Sequence, residues 1–232
     1  MLKNLHNYSG IIIIILFIII YFEYNNNYLY DTFIATKVVS DIDGRKYRVS
    51  GVYVNTKDAS NTMAKINDFI FNFLKFLRNK FIFKKMGTYD EQEFVKRVLK
   101  NYNPDVIFEN DPKAGEDTSY VVNKGDQFAI CLRDKQTKKI HDYNLLQFVT
   151  IHELTHLGNL DFGHGYSFWA WMKFMLIQAK ESGLYTPVNY KTNPITYCGL
   201  DVNFSPYYSE QYDWRNLSQQ IAFNKINFQE NY

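Results

Sequence analysis

Three residues on one short stretch carry the chemistry: His152, Glu153 and His156 make an H-E-x-x-H in the run TIHELTHLGNLDFGHGYSFWAWM. On a helix, positions i and i+4 share a face one turn apart, so both imidazoles can reach one metal ion. Glu153, one step round, then addresses a water on that metal. This is the arrangement of a zinc hydrolase.

A catalytic zinc takes three protein ligands and leaves its fourth position for water. Gly158 is expected to end the helix, and His164 follows after a short Asn/Asp/Gly loop. His164 is therefore the expected third ligand. The metzincin spacing would put Gly at 159 and His at 162, where this chain has Asn159 and Phe162. Asp161 is the alternative third ligand, or else the group that orients a histidine. Zn2+ held by neutral His152, His156 and His164 would bring the pKa of a bound water to about 7. Glu153 would take that water's proton during attack on a carbonyl and pass it to the leaving amine. Tyr166, Tyr190, Tyr197 and His141 are candidates for a second donor to the oxyanion, on sequence proximity only.

Several elements must position these residues. Leu145, Leu146, Phe148, Val149 and Ile151 recur at helical spacing behind Asp142, which can cap the first turn of the metal helix. A second apolar helix is expected over 167–181, with Phe168, Trp169, Met172, Leu176 and Ala179 packed on the first. Upstream, the alternation of KYRVSGVYV predicts a strand. Residues 61–85 predict a long helix, apolar on one side and rich in Lys and Arg, for which core packing and a membrane-surface role are the two readings. An amphipathic helix is expected over 90–102, closed by Asn103-Pro104. Residues 105–117 read as irregular. Residues 119–123 and 127–133 predict a hairpin about the Lys124-Gly125-Asp126 turn, and its second strand is the expected edge for pairing with an extended peptide. Residues 185–208 are loop-rich and could wall a cleft.

The chain has 232 residues, 46% hydrophobic, with a net charge of +2. That is enough for one domain with a core, and the near-neutral balance gives no global reason to expect a nucleic acid partner. Cys131 and Cys198 lie far apart and form no C-x-x-C pair, which speaks against a zinc ribbon; a disulfide between them would require an oxidising compartment.

At the N-terminus, GIIIIILFIIIYF provides an apolar core of about twelve residues, stretching to about seventeen with Tyr8 and Tyr24 as interfacial anchors, the lower limit for a spanning helix. No small-x-small cleavage site follows it, so residues 1–24 are expected to be an uncleaved transmembrane signal anchor. Lys3 before the run and Glu23 and Asp31 after it place the N-terminus in the cytosol and the remainder on the far side. Asn203 and Asn216 would then be glycan acceptors. The expected layout is an anchor over 1–24, a linker over 25–44, a catalytic domain over 45–208 and a tail over 209–232.

HELTHL followed by HGYSFW is similar to the pattern of the WLM and SprT-like zinc metallopeptidases. The wider run, with TSYVVNKG, ICLRD and NPITYCG, resembles uncharacterised WLM-like proteins of large DNA viruses over roughly residues 45–208. The resemblance implies a compact α+β zincin-like fold with a small antiparallel sheet, zinc on His152, His156 and His164, and Glu153 as the catalytic residue. The function expected is thus a membrane-anchored zinc metalloendopeptidase acting on a protein or peptide substrate. Two others compete: a non-catalytic, membrane-tethered domain braced by zinc, and a peptidase acting on DNA-bound proteins.

Overall fold

The computed structural model describes residues 35–112 and 118–217, together with Phe17 and Tyr21. A five-stranded sheet, in the spatial order β1-β2-β3-β5-β4, packs against four helices. β1 (Ala35–Val39) pairs antiparallel with β2 (Lys46–Ser50). The chain then leaves the sheet for two helices. α1 (Thr56–Leu77) buries Met63, Ile66, Ile70, Phe73 and Leu77, the alternating three- and four-residue steps of one helical face. It runs into a π-helical segment, Arg78–Phe83. α2 (Tyr89–Asn101) opens with a capping box in which Thr88 and Glu91 satisfy each other's backbone N–H groups.

β3 (Ile107–Asn110) returns parallel to β2, because a strand reached through a helical crossover re-enters the sheet in its original direction. β4 (Tyr120–Val122) and β5 (Gln127–Cys131) form the expected hairpin, with β5 parallel to β3. The sheet is therefore mixed, which corrects the antiparallel sheet expected from sequence. β5 is flanked on both sides, so it cannot receive an added strand; the edge beside it is β4, and the opposite edge is β1. β1 lies in the stretch expected to be linker, and β3 in the stretch expected to be irregular.

α3 (Tyr143–Gly158) is capped by Asp142, whose carboxylate accepts from the N–H groups of Asn144 and Leu145. It is buried nearly all round, as an all-round apolar helix must be. α4 (Tyr166–Glu181) packs beside it and stacks Trp171 on Phe94 of α2, with ring centroids 4.2 Å apart. Beyond α4, β6 (Ile195–Tyr197) and β7 (Leu200–Val202) make a small separate hairpin. Cys198 in its turn is disulfide-bonded to Cys131 at the end of β5. Trp214, in the expected tail, donates its indole N–H to Glu91 at 2.6 Å, and Leu217 is buried in the core.

Two further contacts stiffen the frame. Arg133 and Glu109 form an ion pair at 2.8 Å, with side chains only 3% and 1% exposed. Glu109 also accepts from the Ser50 N–H, and Arg133 from the same interior reaches Asn55 ahead of α1. A charge buried so completely persists only because it is paired and hydrogen-bonded.

Among the described residues no helix is long and apolar enough to cross a membrane. The single-pass anchor, and the localisation and topology built on it, are corrected accordingly. The physical reason is length: α3 and α4, the most apolar of the described helices, have 16 residues each, short of the roughly 20 that span a bilayer. The longest helix, α1, is amphipathic and spends its apolar face on the core. Residues 1–24 themselves lie, save Phe17 and Tyr21, outside the described residues.

Candidate metal centre

His152 and His156 project from successive turns of α3, and His164 arrives from the loop that follows. Their Nε2 atoms form a triangle with edges of 2.8 Å (152 to 164), 3.1 Å (156 to 164) and 3.3 Å (152 to 156). Three ring nitrogens this close cannot all be matched as donor and acceptor, whereas one cation can take a lone pair from each. Tetrahedral zinc with bonds of about 2.0–2.1 Å would hold nitrogens about 3.3 Å apart, close to these edges. The donor set fits the metal. Among the described residues, this is the group of metal-capable side chains that comes together.

The protonation states agree with ligation. Burial, with the neighbouring His156 and His164, holds the His152 imidazole well below its ordinary pKa. His156 is lowered to about 4 by burial first, then by His164 and Lys124. Both rings are neutral at pH 7, the form that binds a metal.

The loop reaches the right place for local reasons. Gly158 is still helical, and its role is close packing: a Cβ there would lie 2.6 Å from Phe94 and from Val98 of α2. The helix ends at Gly158 as expected, and the residue also lets α2 approach. The terminal carbonyls of α3 are taken up by that neighbour, with Arg97 donating to the Gly158 carbonyl at 2.7 Å and Asn101 to that of Leu157 at 2.9 Å. Lys124, from the β4–β5 turn, donates to the carbonyls of Asn159 at 2.6 Å and Asp161 at 3.1 Å. Gly163, with φ of +75°, then turns the chain into His164.

Asp161 does not join the histidines. Its carboxylate accepts from Ser167 Oγ at 2.7 Å and pins the loop to the first turn of α4. Glu153 is 2% exposed and sits beside the triad on α3. Its charge is felt at Tyr197, whose phenol is held well above its ordinary pKa by burial first and by Glu153 in addition.

The four tyrosine and histidine candidates for an oxyanion donor are engaged elsewhere. Tyr197 donates to the Cys131 carbonyl at 2.7 Å and bonds Ser119 Oγ, and His141 Nε2 accepts from the Cys198 N–H. Tyr166 accepts from the Asp213 N–H, and Tyr190 is buried against Phe148.

Two aromatic residues gain a role that periodicity had assigned to plain core. Phe168 is fully buried beneath the triad, its ring centroid 4.3 to 4.7 Å from those of all three imidazoles. Trp169 is half-buried and lies 5.7 Å from the His164 ring. Their position directly after H-G-Y-S was the available signal. Lys124 left none, because its partners lie 35 and 37 residues away.

No protein-family model and no solved structure matches the chain. Three viral relatives do. It is 34% identical over 172 residues to the uncharacterized protein R325 of Acanthamoeba polyphaga mimivirus, covering 73% of this chain and 83% of that protein. It is 36% identical over 81 residues to the uncharacterized protein 042R of Invertebrate iridescent virus 3, half of whose length is matched. Over 88 residues it is 33% identical to the uncharacterized protein 136R of Invertebrate iridescent virus 6, with 46% of that protein matched.

Proposed function

The chain belongs to the viral protein family of mimivirus R325, and since kinship alone assigns no chemistry, we propose from the site it carries that it is a zinc-dependent metallopeptidase. The observation that supports this is the pairing of three converging imidazole nitrogens with a buried carboxylate one residue along the same helix. Three protein ligands are the number at which zinc keeps a position for water; structural zinc sites use four. The resemblance of HELTHL and HGYSFW to the WLM and SprT-like peptidases points the same way, and a zincin-like fold is part of this proposal.

His152, His156 and His164 would hold the metal, which when bound supplies Lewis acidity and makes water acidic enough to act near neutral pH. Glu153 accepts the proton of the attacking water and delivers it to the leaving amine, roles suited to a carboxylate excluded from bulk solvent. Phe168 closes the floor of the triad, keeping water from its inner side and fixing the planes of the rings. Lys124, Arg97 and Asn101 hold the loop and helix end that set the position of His164.

The test compares wild type with Glu153→Gln. The variant is expected to keep stoichiometric zinc by metal analysis while hydrolysis of an unfolded protein substrate drops about 100-fold or more. Unchanged hydrolysis in a zinc-loaded variant would remove Glu153 from the mechanism.

A further inference from the structure

The rim of the triad is apolar, and the residues that make it so are held rather than loose. Ahead of His164 in the chain, Leu160 and Phe162 are 70% and 86% exposed. They sit on the loop that Lys124 and the Asp161–Ser167 bond tie down, and Lys124 also lies 4.8 Å from the Phe162 ring centroid. A Phe displayed to water on a pinned loop costs solvation without helping the core. From α4, Trp169 bridges from His164 to Phe204, 5.4 Å away, and both rings meet Tyr212 at 6.4 and 6.0 Å. Lys124 and Asp161, which lie against or within the Phe162 loop, bond carbonyls and Ser167.

Taking the peptidase reading as its premise, we propose that Phe162 and the Trp169–Phe204 pair form an apolar clamp beside His164 that selects peptides carrying a bulky apolar or aromatic residue beside the bond presented to the metal. An aromatic side chain packed on these rings buries itself and part of the exposed surface of Phe162 and Phe204. A charged side chain would shed its water against these apolar rings and gain no hydrogen-bond partner from them. Selection is therefore by side-chain polarity, while the backbone of the peptide is left to the metal and to Glu153.

The experiment uses the full chain as the zinc-loaded Glu153→Gln protein, which binds without turnover, and three matched decapeptides bearing Phe, Ala or Asp at the central position. Calorimetric titration is expected to give binding of the Phe peptide about tenfold or more tighter than the other two. Phe162→Ala and Phe204→Ala should each shrink that ratio several-fold with zinc content unchanged; both side chains are exposed, so neither substitution opens the core. Equal affinity for the three peptides, including no measurable affinity for any, overturns the proposal, as does a preference that survives the double variant. Hydrolysis of the same peptides by wild type separates the two claims. A Phe preference without Glu153-dependent cleavage upholds the clamp and removes the peptidase. Cleavage without the preference does the reverse.

Discussion

The candidate metal centre draws its three histidines from two regions built on opposite principles. α3 places His152 and His156 by burial: it is enclosed by α2, α4 and the sheet, and one helical turn sets the spacing of its ligands. The loop 159–165 is exposed, and it places His164 through point contacts with Lys124, Ser167 and the end of α3. The helix supplies precision at no entropic cost beyond folding, and the loop supplies access. A site that needs both a rigid ligand frame and an open side would be poorly served by two buried helices or by two loops.

The largest expected effect strikes both regions together. The disulfide between Cys131 and Cys198 closes a stretch with a sequence separation of 67 that contains all three histidines and Glu153. Loop-closure entropy assigns such a link about 4 kcal/mol. The Cys131→Ser, Cys198→Ser double variant should lose about that much stability in urea melts, and helix-borne and loop-borne ligands should lose order together. A variant as stable as wild type would mean that packing alone holds the frame.

Acid should distinguish the two regions next. His152 and His156 have folded-state pKa values below the unfolded value of about 6.5. The unfolded chain therefore binds more protons, and stability falls as pH falls. For the metal-free protein, the contribution of His156 is complete above about pH 6.5 and is lost on the way down to about 4, a loss on the order of a few kcal/mol, and that of His152 is lost in the same direction. Chemical denaturation at stepped pH checks this, and a flat profile would show that burial of the helix pair is less complete than described.

Two substitutions then address each region singly. Gly158→Ala forces a Cβ into Phe94 and Val98, and overpacking of this kind costs about 1–3 kcal/mol; thermal melts should show it, with zinc affinity lowered because the last turn of α3 must move. Lys124→Met removes two ties on the loop while keeping the stem. Zinc affinity should fall by about tenfold, the scale of lost outer support, with little change in melting temperature. If instead Lys124→Met destabilises the fold as much as Gly158→Ala, the loop is part of the core and the contrast between the regions collapses.

What could be read without the fold was whatever one helical turn or one strand pair encodes. The H-E-x-x-H, the Asp142 cap, the amphipathic face of α1 and the β4–β5 hairpin are all local, and each was legible. His164 was legible as a ligand only beside that motif. The short strands β1 and β3 were missed because four or five residues carry little periodicity, and β3 in addition pairs with β2, distant in sequence. Trp169 was assigned to the core because a helical wheel cannot say which arc faces a neighbouring helix and which faces a cleft.

The sequence by itself determined that two imidazoles and a carboxylate share one helix, since backbone geometry ties spacing to direction. Only the tertiary structure decided that His164, rather than Asp161, meets them, that β4 and not β5 is a sheet edge, that Gly158 serves packing, and that Cys131 and Cys198 join. Each of these depends on contacts between segments far apart in the chain, where separation along the sequence says nothing about distance in space.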